Sequence, residues 1–417
     1  MDVRKGNRKL FLVGIIGIAA GLVIAFFLSR QVSGISLPSN KIPPNAKSDF
    51  GLMAEAWNSI RAHYVDRKAI QPRPMTYGAI SGMVDALGDT DHSTFLSPDM
   101  IKAEQDFTAG KYKGIGAEIR MKGGHVVIVT PLDGSPAQKA GLRPGQIIIR
   151  VNGKDITGLS LIQVVKLISG PADTRVTLRI QDPDTGQTRD VTLVRAAITM
   201  NNISWHRLPG TNVAHLRIAG FSQGVTEDLK QALHAIKREE LAGLILDLRN
   251  NPGGLLSEAV STASQFLSKG NVLLEKDAEG RITPVAVETG GLFELMPMVC
   301  LVNGGTASGA EIVAGALQDH RRSNLVGTTT FGTGTVLEQF PLSDGSALLL
   351  AVQEWLTPDG HTFWHKGIAP NTVISLPPEV APIFPEEERD MSPQQLKASK
   401  DNQLLRALDL LVGKQTG

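Results

Sequence analysis

Leu244-Ile245-Leu246-Asp247-Leu248-Arg249-Asn250-Asn251-Pro252-Gly253-Gly254 reads as an apolar strand that runs into a polar, glycine-ended turn. A short aliphatic run bounded by turn formers suits a strand covered on both faces. The asparagines, the proline and the paired glycines stop it abruptly. An apolar helical pattern over 257–267 follows. Free N–H groups at such a turn can face a developing negative charge. The same unit recurs downstream: strand Met298–Val302, the turn Asn303-Gly304-Gly305-Thr306-Ala307-Ser308, then a helix over 310–318. Upstream, Val213–Ile218 reads as a strand and Val225–Arg238 as a helix, and 348–354 adds a further β segment. Strand-helix alternation of this kind defines an α/β core.

Working outward, residues 111–197 change to short β runs with glycine turns. The strands are expected at 117–119, 126–129, 146–151 and 175–180, with an amphipathic helix at 160–168. Before them come three helical patterns, at 49–66, at 77–87 and after Ser97-Pro98. Residues 31–47 are rich in Ser, Pro and Asn, the composition of a linker. Further upstream, Arg4, Lys5, Arg8 and Lys9 precede a charge-free run from Leu10 to Leu28. At about 1.5 Å of rise per residue, a helix of that length matches the hydrocarbon core of a bilayer. Its basic flank favours the cytoplasmic side. The expectation is an uncleaved signal anchor in the cell membrane, single-pass, with the body extracytoplasmic. Past the core, 377–417 is a proline-rich acidic connection ending in a helix, Asn402–Val412. The expected divisions are thus anchor 1–31, linker 32–47, helical domain 48–110, β-rich domain 111–197, core 198–376 and C-terminal connection 377–417.

Composition narrows the chemistry. Net charge is +1 over 417 residues, so no bulk field argues for nucleic acid. Cys300 is the only cysteine, which excludes an intramolecular disulfide and a cysteine zinc cluster. No His-Glu-x-x-His, calcium-loop or phosphate-loop pattern occurs, and neither metal nor cofactor is expected.

Two constellations carry function. In Lys113-Gly114-Ile115-Gly116-Ala117, a glycine-rich turn leads into a strand and can aim backbone N–H groups at a peptide carboxylate. Ser135-Pro136-Ala137, then Ala140-Gly141-Leu142-Arg143-Pro144-Gly145-Gln146-Ile147-Ile148 and Val151-Asn152-Gly153, follow in order. This series resembles bacterial PDZ domains. The resemblance implies a ligand lying between the strand after Gly116 and the helix at 161–168, with Val164 and Ile168 lining the pocket for its last apolar side chain. In the second constellation, Ser308 stands at a helix N-terminus, where the dipole favours negative charge. The N–H of Gly309 can join that of Gly253 or Gly254 as an oxyanion hole, the geometry an acyl-transfer serine needs.

A third segment, Thr330-Phe331-Gly332-Thr333-Gly334-Thr335-Val336-Leu337, completes the pattern. Together with Tyr77-Gly78-Ala79-Ile80, Asp91-His92-Ser93, Thr357-Pro358-Asp359-Gly360 and Gly367-Ile368-Ala369-Pro370-Asn371, the chain resembles the carboxy-terminal processing serine peptidases over roughly residues 48 to 415. The resemblance implies a mixed α/β peptidase core, an inserted β-rich PDZ domain and an N-terminal helical domain. It implies Ser308 as nucleophile and protein substrates with exposed C-termini. The family's third segment reads Phe-Gly-Lys-Gly-x-Val-Gln, its lysine being the general base and its glutamine the group that orients it. Here those positions hold Thr333 and Leu337. Threonine cannot take a proton near neutral pH as a buried lysine can. His361, His365 and Lys366, in the segment that follows the β run, are the alternative bases. Two readings follow: a membrane-anchored endopeptidase, or a silent scaffold that binds C-termini.

Overall fold

The computed structural model describes residues 41–89, 93–108, 111–122, 124–159, 161–183, 185–199, 201–377 and 380–412. Two compact units divide the chain, Met1–Pro72 and Arg73–Gly417. In the smaller unit, the helix Lys47–His63 places Asp49 in its first turn and Arg61 in its last, each complementing the helix dipole. None of its residues is buried. The anchor at 10–28 lies outside the described residues; among those described, no helix is long and apolar enough to cross a membrane.

The larger unit is built on a six-stranded sheet in the order Ile203–Arg207, Val213–Ile218, Gly243–Asp247, Met298–Val302, Asn324–Gly327, Thr372–Val373. Its first pair is antiparallel and the rest are parallel. Side chains alternate between two faces, as strand geometry requires. Leu244, Leu246, Met298 and Cys300 pack with Leu229, Leu233 and Ile236 of helix Val225–Arg238 and with Val313 and Leu317 of helix Gly309–Asp319. Ile245, Val299, Leu301 and Val326 face the opposite way, onto Leu404, Ala407 and Leu411 of helix Asn402–Val412. Both faces of the sheet are therefore covered, which explains why these strands lack polar alternation. Each such side chain contributes roughly 1.5–3 kcal/mol on burial.

Register decides where function can sit. Asp247 pairs with Leu301, and Leu301 with Val326. The carboxyl ends of two adjacent parallel strands are thus level, and the turns that follow them emerge side by side.

A second, antiparallel sheet joins Thr94–Leu96, Ala347–Leu356, Asn271–Asp277 and Ile282–Ala286, with Thr335–Pro341 also paired to Ala347–Leu356. Residues 48–110 are accordingly divided. Lys47–His63 falls in the smaller unit, while Thr94-Phe95-Leu96 is a strand of the larger one. Three residues between helical patterns give too little alternation to read as a strand.

The inserted β-rich domain has the sheet Ala117–Lys122, His125–Pro131, Ile147–Val151, Arg175–Gln181, Thr188–Val194, with the short helix Pro136–Lys139 and the helix Leu161–Ile168 against its core. The chain enters and leaves through an antiparallel pair, Lys111–Gly114 with Ala196–Thr199. Strand Thr188–Val194 buries only Val191 and Leu193, and its polar outer face hides it from a hydrophobicity reading.

Candidate active site

Ser308 occupies the sharp bend between strand Met298–Val302 and helix Gly309–Asp319, with φ 52° and ψ −121°. A left-handed φ at a non-glycine residue costs on the order of 1–3 kcal/mol and persists only where the surroundings enforce it. The enforcing group is Glu311. Its carboxylate is fully buried. Oε2 accepts the Ser308 N–H (3.0 Å) and the Thr333 N–H (2.8 Å). Oε1 accepts the Gly332 N–H (2.7 Å) and the Thr330 hydroxyl (2.5 Å). Burial pushes the Glu311 carboxyl above its usual range, against the pull of these donors. Because one oxygen holds both amides, the nitrogens of Ser308 and Thr333 lie within 5.8 Å of each other, the sum of those two bonds. The Phe331 N–H adds a bond to Thr306 O (2.9 Å). The Ser308 turn and the third segment are therefore one assembly.

The turn after Gly243–Asp247 is stitched to it. Asn250 and Asn303 bond reciprocally, Asn250 N to Asn303 Oδ1 (2.9 Å) and Asn303 Nδ2 to Asn250 Oδ1 (2.8 Å). Ala307 N–H donates to Asn251 O (2.9 Å), and Thr306 Oγ1 to Leu248 O (2.8 Å). The glycines are required by contact. A Cβ on Gly253 would lie 2.6 Å from Ser308 Cβ, and one on Gly254 2.4 Å from Phe221 O. The Gly253 N–H is already given to Asn251 Oδ1 (2.8 Å). The N–H groups of Gly254 and Gly309 meet no acceptor among the described residues. They are neighbours, since a Cβ on Gly309 would sit 3.7 Å from Gly254 N. Of the three expected donors, these two are left available beside Ser308.

Thr333 is 1% exposed, and its hydroxyl has no partner among the described residues. Gly334 next to it is wedged against Trp364, whose backbone a Cβ would approach to 2.4 Å. Leu337 is partly buried in strand Thr335–Pro341, at an irregularity in its pairing with Ala347–Leu356. The expected alternative bases separate. His361 is exposed, in a turn closed by Thr357 N–H to His361 O. Lys366 is exposed. His365 is exposed as well, but it donates its backbone N–H to Gly332 O (2.9 Å), stacks its ring on Trp364 (4.8 Å) and brings Nε2 to 4.0 Å from Asp89 Oδ1.

Beneath the two turns lies a buried charge cluster. Asp247 and Arg249 are joined at 2.7 Å with no exposure. Arg249 also binds Asp401 (2.8 Å). His215, wholly buried, bridges Asp247 (3.1 Å) and Glu388. Burial alone would lower its pKa, but the carboxylates of Glu388 and Asp247 outweigh that and hold it up at about 9. Asp247 is held well below the usual carboxylate range by Arg249 and His215, despite its burial. The available signal was a histidine and an arginine, His215 and Arg217, inside an otherwise apolar strand.

In the β-rich domain, Gly114 (φ 149°) and Gly116 (φ 74°) bend the loop before Ala117. Its carbonyls are occupied: Ile115 O accepts Ala137 N, and Gly116 O accepts Leu132 N and Ser135 Oγ. The N–H groups of Ile115 and Gly116 have no acceptor among the described residues. Ile115, Ala117, Val164 and Ile168 share one closed core cluster.

An α/β sheet with a serine-bearing turn and a glycine turn at its carboxyl edge, plus an inserted peptide-binding fold, defines a serine peptidase with a PDZ domain. Comparison with known proteins gives the same class: Peptidase family S41 matches residues 212–374, and a PDZ domain matches 127–182. The carboxy-terminal processing protease CtpA of Bacillus subtilis is 32% identical over 373 residues, covering 89% of this chain and 78% of that protein. The carboxy-terminal-processing protease of Bartonella bacilliformis is 34% identical, covering 85% and 82%. Among solved structures, the photosystem II D1 C-terminal processing protease superposes with a TM-score of 0.69 at 32% identity, covering 85% of this chain and 99% of that one. The chain belongs to the carboxy-terminal processing proteases of Peptidase family S41, which are serine hydrolases.

Proposed function

We propose that the protein is a membrane-anchored endopeptidase whose PDZ domain captures apolar C-termini of extracytoplasmic proteins and whose nucleophile is Ser308. The observation that supports this reading most is the pair of unengaged N–H groups, Gly254 and Gly309, beside a serine held in a strained bend. Such donors suit the oxyanion of a tetrahedral intermediate. In the proposed reaction, Ser308 Oγ attacks the scissile carbonyl and its proton passes to a base. The base returns that proton to the leaving amine, and water then hydrolyses the acyl-enzyme. With Thr333 in place of the family's lysine, His365 is the candidate base: Asp89 lies beside its imidazole, and its backbone is bonded to Gly332. The unengaged N–H groups of Ile115 and Gly116 support capture of a C-terminal carboxylate, and peptide entry would part the closed cluster around Val164 and Ile168. The charge-free run 10–28 behind a basic flank supports the anchor.

A second reading has its own observation. Thr333 fills the base position completely, with its hydroxyl unpartnered, which favours a scaffold that binds C-termini without turnover. One experiment separates the two. The full chain in detergent is incubated with an unfolded protein ending in apolar residues, beside Ser308→Ala and Thr333→Lys. Cleavage by the wild type that Ser308→Ala abolishes establishes the peptidase. Cleavage by Thr333→Lys alone establishes the scaffold. Equal cleavage by all three refutes Ser308 as the nucleophile.

A further inference from the structure

Past its strand, the turn 249–254 must find partners for its carbonyls. Asn251 O and Gly253 O find theirs in the core, at the N–H groups of Ala307 and Phe221. Of the two carbonyls before them, one is held by the PDZ domain and the other by a core arginine that the PDZ domain grips. Thr130, in strand His125–Pro131 and fully buried, holds its hydroxyl 3.1 Å from Asn250 O and 3.2 Å from Pro131 O, so its one proton is shared between the turn and its own strand. Arg249 O accepts from Arg217 Nη1 (2.6 Å). That guanidinium, 1% exposed, lies over the Phe384 ring at 3.7 Å. Its other edge is gripped by Asp133 of the PDZ domain, Nη2 to Oδ1 at 2.9 Å and Nε to Oδ2. A two-point fork of this kind fixes direction as well as charge. Asp247 is the other carboxylate near Arg217, at 3.8 Å, and it is already committed to Arg249 and His215. Asp133 is held in turn by Gln138 Nε2 (3.1 Å). Gln138 lies in the segment whose Ser135 and Ala137 hold the carbonyls of the peptide-binding loop.

We propose that the PDZ domain positions the oxyanion turn, with Thr130 acting directly and Asp133 through Arg217. The Gly253-Gly254 segment is then in register with Ser308 only while these two side chains are docked. Thr130 and Asp133 are positioning residues and touch no substrate. The consequence for rate rests on the peptidase reading above; the order of the turn does not.

The test is hydrogen–deuterium exchange on the full chain, following peptides that cover 248–255, in Thr130→Val, Asp133→Asn and Asp133→Glu. Loss of a bond to a charged group, or of one buried bond, should speed exchange of that turn by about tenfold. Asp133→Glu should restore most of the protection, because it keeps the charge. Asp190→Asn, which breaks the exposed Arg179–Asp190 pair within the same domain, should leave the turn unchanged. The proposal is overturned if the turn exchanges at the wild-type rate in both Thr130→Val and Asp133→Asn, or if exchange rises equally throughout the chain. If the wild type cleaves substrate, Asp133→Asn should lower kcat with KM unchanged; a rise in KM alone would count against the proposal. A wild type that cleaves nothing would sink the peptidase reading and leave the exchange test standing.

Discussion

Replacing Glu311 should loosen the Ser308 turn and the third segment together, and the cost can be worked from its four donors. In Glu311→Gln, one amide atom must be nitrogen. With that nitrogen at the Oε1 position, the amide oxygen at the Oε2 position still accepts from Ser308 and Thr333. The nitrogen would face the Thr330 hydroxyl and the Gly332 N–H. The hydroxyl can reverse and accept, as it already does from Ile368 N–H (2.7 Å), but the Gly332 N–H cannot. One buried N–H is left without a partner, at about 1–3 kcal/mol. In Glu311→Ala the N–H groups of Ser308, Gly332 and Thr333 are all orphaned, roughly 3–9 kcal/mol, which approaches the whole stability of a domain. The assay is urea unfolding followed by tryptophan fluorescence, with the midpoint of the core transition read for each variant. The order wild type, Gln, Ala is expected. If both variants unfold within about 0.5 kcal/mol of the wild type, the range of ordinary surface changes, the carboxylate does not hold the site together.

Gly253→Ala should destabilise the core by about 2–5 kcal/mol, since overpacking and a left-handed backbone add; its Cβ would meet Ser308 Cβ at 2.6 Å with φ at +93°. A melting temperature equal to that of the wild type would show that the two turns are not in contact. Thr333→Lys should lower thermal stability, because an ammonium replaces a hydroxyl at a 1% exposed position; an unchanged or raised melting temperature would argue that the position is open. His215 supplies a pH dependence. Its pKa, raised from 6.5 to about 9 by folding, contributes on the order of 3 kcal/mol. Because the folded value is the higher one, that stability is complete below about pH 6.5 and is lost as pH rises through 9. Chemical denaturation of the wild type at pH 6 and pH 9.5 should show the loss, and His215→Gln should not; parallel curves would refute the charged bridge.

The α/β core was legible because its strands are covered on both faces. Runs such as Met298–Val302 carry no polar residue, and the helices between them repeat their apolar positions at helical spacing. The turn at Ser308 was legible for a different reason: small residues between an aliphatic run and a helix leave few conformations open. The edge strands were not legible. Ile282–Ala286 buries none of its residues, and Thr94–Leu96 is three residues long, so neither offers alternation to count. The charge cluster escaped because Glu388 and Asp401 lie in a polar stretch that reads as surface, more than 150 residues from the histidine and arginine they neutralise. Which donors of the turn remain available was equally hidden, since the side chain of Asn251 takes the Gly253 N–H.

The central claim is that the Ser308 hydroxyl can give up its proton where it stands. A fluorophosphonate that phosphonylates activated serines tests it without a substrate. The full chain is treated across pH 5 to 9, and the intact mass and the modified peptide are read. The account predicts one adduct, on Ser308, slowed strongly in His365→Ala. An unmodified wild type beside a Thr333→Lys variant that is labelled would contradict it.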